Sequence, residues 1–272
     1  MNAPDRYMVI GNPVAHSKSP QIHMAFAEQT GQDLRYERLL APLDGFASAV
    51  RDFIAQGGKG MSVTVPFKLE AHALADTLTD SAQAAGAVNA LKFDDGRIVG
   101  DNTDGAGLVR DIAHNAGVPL LGKHILILGA GGAARGAILP LFQAGAASLT
   151  IANRTMARAS ELAAAFSEQG NIRASGFAAL EGGFDIVINA TSASIDGELP
   201  PVGPAIFAPG AFAYDMMYGK EPTVFMRFAA EHGVTARDGL GMLVEQAAEA
   251  FVLWRGVRPD TAPVYAAMRA CE

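Results

Sequence analysis

The sequence predicts an α/β protein of two domains, and three observations carry that prediction. Short apolar runs alternate with helix-length segments along most of the chain. A glycine-rich turn behind a wholly apolar run, Leu126-Ile127-Leu128-Gly129-Ala130-Gly131-Gly132-Ala133-Ala134-Arg135, begins only near the middle of the 272 residues, so a sizeable block precedes it. After Gly239-Leu240-Gly241 the pattern is helical to the end.

In chain order, residues 7–10 read as a strand, 20–29 as a helix, 35–40 as a strand and 43–55 as a helix. The apolar run at 61–65 predicts a strand that Pro66 terminates, because proline donates no backbone hydrogen bond. A helix then follows over 67–78. Residues 88–93 and 97–99 flank Asp94-Asp95-Gly96 and predict a β-hairpin. A linking helix is expected over 104–116, then a strand at 124–128 and a helix to about Gln143. Residues 149–152, 185–189 and 211–215 continue as strands and 159–166 as a helix, while Pro200-Pro201 and Pro204 mark a loop. Helices over 242–254 and 261–268 are read as returning to the first domain. The expected domains are 1–104, 105–237 and, completing the first, 238–272.

Composition narrows the function classes. A net charge of -7 argues against nucleic acid as the main partner. The lone Cys271 permits neither an intrachain disulfide nor a cysteine metal cluster, and the six histidines show no metal-ligand spacing. Met1-Asn2-Ala3-Pro4-Asp5-Arg6 lacks the basic and apolar regions of a signal peptide, and the apolar runs are strand-like. The expectation is a cytoplasmic protein, monomer or homodimer, with no membrane partner and no metal.

The glycine turn sits between a predicted strand and a predicted helix, the setting of a Rossmann-like dinucleotide site. There Gly129 makes the tight turn, Gly131 admits a pyrophosphate and Ala134 allows close packing, with Ala130, Gly132 and Ala133 completing the cradle. The next strand ends at Asn153-Arg154-Thr155, where an acidic residue would often hold the ribose diol of NAD. Arg154 and, one helical turn on, Arg158 suit the extra phosphate of NADP; the plainer reading makes both solvated helix-start charges.

Polar residues cluster in the first block. Lys68 follows Thr64-Val65-Pro66-Phe67 at a strand-to-helix junction, near the sheet end where ligands commonly bind. With an ordinary titration near roughly 10.4, lysine is an acid at neutral pH and a poor base. A surface role for it is equally open. Asp104, in Asn102-Thr103-Asp104-Gly105, is a partner for that ammonium or a helix N-cap, and Asp101 reads as a turn residue. Ser17 and Ser19 in His16-Ser17-Lys18-Ser19-Pro20 suit a small carboxylate, against helix capping by Ser19. Asn89 and Gln246 can each donate and accept, in a ligand wall or in the structure.

Taken together these segments, with Gly86-Ala87-Val88-Asn89, Asn189-Ala190-Thr191-Ser192, Tyr214-Asp215-Met216 and Gly241-Met242-Leu243-Val244-Glu245-Gln246-Ala247, resemble the shikimate dehydrogenase family from one end of the chain to the other. The resemblance implies reversible reduction of 3-dehydroshikimate to shikimate with NADPH. It implies that Ser17 and Ser19 hold the substrate carboxylate, and that Thr64, Lys68, Asn89, Asp104 and Gln246 surround the ring hydroxyls. Lys68 and Asp104 become the catalytic pair. The glycine loop, Asn153, Arg154, Thr155 and Arg158 take the dinucleotide, with Met216 and Gly239 beside the nicotinamide. Ser62 departs from the pattern, since the family commonly places an asparagine there, which puts a direct substrate contact in doubt. An enzyme favouring quinate and NAD, or a noncatalytic ligand sensor, are the competing readings.

Overall fold

The computed structural model describes residues 3–193 and 197–271; Met1 and Asn2, part of the stretch read for a leader, lie outside the described residues. The chain divides into two compact units, one of residues up to Gly107 with Val244–Met268, the other of Leu108–Leu243 with the residues from Arg269.

In the first unit the elements are β1 (Asp5–Gly11), α1 (Ser19–Thr30), β2 (Leu34–Leu40), α2 (Phe46–Ala55), β3 (Gly58–Val63), α3 (Lys68–Leu74), β4 (Thr77–Leu78), α4 (Asp80–Ala85), β5 (Ala90–Asp94), β6 (Arg97–Asp101) and α5 (Asp104–Arg110). Six strands form a mixed sheet in the order β2-β1-β3-β5-β6-β4. Asp95 and Gly96 both have positive φ, which matches the twist of the hairpin they close. The helix expected over 67–78 ends at Leu74, because Thr77 and Leu78 pair with Val99 and Gly100 of β6. The short α4 escaped the sequence reading although it carries a signal: the Thr79 hydroxyl accepts from the Ala82 N–H at its start.

The second unit holds β7 (His124–Leu128), α6 (Gly132–Gln143), β8 (Ser148–Ala152), α7 (Met156–Ala165), β9 (Ile172–Ser175), β10 (Phe184–Asn189), β11 (Phe207–Asp215), α8 (Val224–Glu231) and β12 (Thr235–Asp238). All pair in parallel, in the order β12-β11-β10-β7-β8-β9. Numbered within the unit this is the 3-2-1-4-5-6 Rossmann order, with its switch point between β7 and β10. Ile125 to Leu128 are fully buried, as a central parallel strand covered on both faces requires. The sequence reading passed over β9, α8 and β12; these are short, and only α8 carries a cap, from Thr223.

Two helices close the chain, α9 (Leu240–Arg255) and α10 (Ala262–Ala270). The divisions at Gly107 and Leu243 fall beyond the expected 104 and 237, since helical backbone runs on through them. A π-helical segment, Asp111–Asn115, continues α5, and the buried Asp111 there accepts from Tyr214 Oη at 2.7 Å and Arg237 Nε at 2.8 Å. Those partners anchor the segment in the second unit. In the first, Trp254 of α9 donates to the Leu91 carbonyl at 2.9 Å, and Phe251 packs edge-on against Phe26.

His23 on α1 lies in that aromatic core, 1% exposed and stacked on Tyr36 with ring centroids 4.3 Å apart. Neither ring nitrogen has a hydrogen-bond partner among the described residues, and burial pulls its pKa down to about 3. Because the folded protein keeps His23 neutral, its contribution to stability is complete above the ordinary histidine range near 6.5. It is lost as pH falls from there toward 3, where the unfolded chain takes up a proton that the folded chain refuses. By about pH 5 that amounts to about 2 kcal/mol. His23→Phe, which forfeits no hydrogen bond, is expected to flatten this part of the profile. Urea denaturation at about pH 7 and pH 5 checks it, and equal acid losses in both proteins would contradict the assignment.

Candidate active site

In the first unit β3 ends at Val63, short of the strand expected to run to Pro66, because the chain turns with the Phe67 N–H on the Thr64 carbonyl; α3 then opens with Lys68, whose carbonyl accepts from the Val88 N–H at 2.9 Å. That bond brings the start of α3 against the segment that leads through Asn89 into β5. Lys68 Nζ donates to Asp104 Oδ2 at 2.5 Å, with both side chains partly open to solvent. The other carboxylate oxygen, Oδ1, accepts from Asn89 Nδ2 at 2.8 Å. Both oxygens of Asp104 are therefore taken by side chains, and no N-cap bond to it occurs among the described residues. Asn89 Nδ2 also lies 3.0 Å from Thr103 Oγ1 and 3.2 Å from Gln246 Oε1, while its oxygen accepts from the Thr103 N–H at 2.9 Å. Asn89 thus serves the backbone with its oxygen and the polar cluster with its amide. Asp101 accepts from Thr79 Oγ1 and the Asn102 N–H, a turn role as its sequence suggests.

A second group lies in the same unit. Ser17 Oγ and Ser19 Oγ are 3.1 Å apart, and Ser17 Oγ also accepts from the Ser19 N–H at 3.3 Å. The cap position of α1 is Lys18, which makes no side-chain cap, so the Ser19 hydroxyl is not used for capping. Arg38 Nε donates to the Ser17 carbonyl at 3.0 Å. Tyr36 Oη donates to Ser62 Oγ at 2.6 Å. Thr64, two residues beyond Ser62, is half-buried and held by its N–H to the Ile10 carbonyl at 3.0 Å. Sequence reasoning missed Tyr36 and Arg38, which alternation along β2 places on one face of the strand without giving either a partner.

The second unit holds the other group. Gly129 follows β7 with φ +110, a conformation side chains rarely adopt, and a Cβ there would press on the Ala190 carbonyl. Its N–H donates to the Ala152 carbonyl at 2.7 Å. Ala130 is half-buried, and Gly131, Gly132 and Ala133 are exposed at the start of the 12-residue α6, with open space where a Cβ at either glycine would stand. Buried Ala134 packs that helix onto the sheet. A pyrophosphate fits this cradle, where amide donors and the positive end of the helix converge. After β8, Asn153 Nδ2 donates to the Thr155 carbonyl at 3.0 Å, which shapes the turn. Arg154 and Arg158 are exposed, and neither side chain meets a carboxylate among the described residues. Met216 and Gly239 come together: a Cβ at Gly239 would overlap the Met216 carbonyl, so glycine permits the approach. Among the described residues no group of histidines, cysteines and carboxylates could hold a metal, and no helix is long and apolar enough to cross a membrane.

Comparison with known proteins gives a family for this arrangement. Residues 9–91 match the shikimate dehydrogenase substrate binding domain, 111–195 the shikimate / quinate 5-dehydrogenase model and 239–269 the shikimate 5'-dehydrogenase C-terminal domain. A shikimate dehydrogenase (NADP(+)) of Herminiimonas arsenicoxydans is 64% identical over 98% of this chain and 97% of its own. Among solved structures, an Ael1 enzyme from Pseudomonas putida superposes with a TM-score of 0.93 at 52% identity, over 97% of each chain. The shikimate 5-dehydrogenase of Thermus thermophilus, solved in complex with NADP(H) and shikimate, superposes with a TM-score of 0.88 at 33% identity, over 98% of this chain and 100% of that one. With matches running through both units and nearly the whole length, the chain belongs to the shikimate dehydrogenase family.

Proposed function

We infer that the protein catalyses the reversible, NADP-dependent reduction of 3-dehydroshikimate to shikimate, a step toward aromatic amino acids. The observation that carries this reading is the Lys68–Asp104 ion pair at 2.5 Å, joined to Asn89 and through it to Gln246, in a chain 64% identical to an NADP(+) shikimate dehydrogenase. When bound, the cofactor supplies a hydride to the ring carbonyl carbon. Lys68 gives the carbonyl oxygen its proton as the charge develops there, and Asp104 fixes the direction from which the ammonium approaches. Thr64, Asn89 and Gln246 offer donors and acceptors to the ring hydroxyls, and Ser17 and Ser19 offer hydroxyls to the carboxylate. An enzyme uses such contacts to align the carbonyl, and a sensor would have no use for a proton donor paired in this way.

The glycine loop holds the pyrophosphate, and Arg154, aided by Arg158, selects NADP by pairing with its additional phosphate. Purified protein is expected to reduce 3-dehydroshikimate with NADPH far better than with NADH. Arg154→Ala should raise the KM for NADPH about tenfold while leaving NADH-supported turnover within about twofold, and Arg158→Ala should do the same more weakly. Absence of turnover with 3-dehydroshikimate would defeat the functional reading. Equal losses with both cofactors would instead mean that Arg154 supports the common part of the dinucleotide site.

A further inference from the structure

The mechanism leaves Tyr36 unused, although its hydroxyl sits among the residues assigned to the substrate carboxylate. In the first sheet, β1 separates β2 from β3. Tyr36 pairs with Tyr7, Arg38 with Val9, and Val9 in turn with Ser62. These residues share one face, because in-register neighbours point to the same side and the side alternates along each strand. The Tyr36 side chain crosses over β1 and donates to Ser62 Oγ at 2.6 Å. It is also hydrogen-bonded to the Ser19 side chain, which in turn accepts from Ser17 at 3.1 Å. A continuous run of four hydroxyls, Ser17-Ser19-Tyr36-Ser62, follows.

We propose that Tyr36 is a positioning residue of the substrate site, tying the Ser19 and Ser62 oxygens together so that Ser62, the last hydroxyl of the run, donates to the substrate carboxylate. Ser62 stands where a longer asparagine is the common family choice, and alone it would be a short donor on a freely turning rotor. With its oxygen occupied by the Tyr36 proton, its own proton is directed away from the tyrosine. Hydroxyls linked in series also polarise one another, which strengthens Ser62, the terminal donor, toward an anion. The tyrosine suits the task because it is rigid and stays neutral: the residue is 5% exposed, its ring is stacked on neutral His23, and burial raises its pKa above the ordinary phenol range. Arg38, two residues along the same face, steadies the loop by its bond to the Ser17 carbonyl.

The inference rests on the function proposed above, and a double-mutant cycle tests it separately. Tyr36→Phe keeps the ring that stacks on His23 and removes only the hydroxyl. It is expected to raise the KM for 3-dehydroshikimate about three- to tenfold, the worth of one net hydrogen bond, with kcat within about twofold. Ser62→Ala should act in the same direction, and the double variant should fall clearly short of the product of the two single losses, since Tyr36 works through Ser62. A packing role for the hydroxyl would lower stability without that coupling. An unchanged KM in Tyr36→Phe, losses that multiply in the double variant, or a fall in kcat alone would each overturn the proposal while wild-type turnover stands. Absence of wild-type turnover would overturn the functional reading and this inference with it.

Discussion

Lys68→Ala is expected to lower kcat for 3-dehydroshikimate reduction by about 10² to 10⁴, the usual contribution of a positioned general acid. The variant loses the proton donor, yet Thr64, Asn89, Asp104 and Gln246 remain to receive the ring. The KM for substrate should therefore change much less than kcat. Lys68 is the first residue of α3, half-buried, and its backbone carbonyl still takes the Val88 N–H after truncation, so the fold should survive. What the truncation leaves is Asp104 Oδ2 without its ammonium, in a position open enough for water to enter and return part of the proton supply. Single-turnover rates with NADPH, measured beside circular dichroism spectra, separate chemistry from folding. Near-normal single-turnover rates in a folded variant would remove Lys68 from the acid role.

The two sheets were legible from the sequence to different depths. The strand at 124–128 and its glycine turn specify their own environment, because the four successive apolar residues 125–128 suit a strand covered on both faces. Gly129 could be read alone for the same reason, since its φ of +110 excludes other residues. Lys68 and Asp104 were legible as residue types at strand and helix ends, but their meeting at 2.5 Å was not. It depends on the pairing of β3 with β5, which no local pattern encodes. The Tyr36 hydroxyl is a stronger case. Alternation along β2 shows a buried tyrosine, whereas its partner Ser62 is set by β1 lying between the two strands. The divisions between the two units at Gly107 and Leu243 have no signature in the sequence, because linking helices keep their local bonding through them and leave no break in the periodicity to read.

The carboxylate at 104 makes a sharper test of the pair than its charge alone suggests. Each Asp104 oxygen has its own donor, Lys68 Nζ on Oδ2 and Asn89 Nδ2 on Oδ1. Asp104→Asn keeps the shape but supplies one acceptor where two are needed, so its amide NH₂ must face either the ammonium or the Asn89 amide, donor against donor. A hydrogen bond to a charged group contributes about 1.5 to 3 kcal/mol, so the substitution should cost about tenfold to a hundredfold in kcat/KM. If the lysine loses its acceptor the deficit falls on kcat. If Asn89 turns away, its contact with the Gln246 oxygen is disturbed and KM rises as well. Asp95→Asn is the matched control: the same chemical change at an exposed hairpin residue with φ 46, a conformation asparagine tolerates. It should leave both parameters within about twofold. Asp104→Asn kinetics no worse than those of Asp95→Asn, in a protein of unaltered melting temperature, would reduce Asp104 to a structural member of its helix and leave Lys68 without an orienting partner.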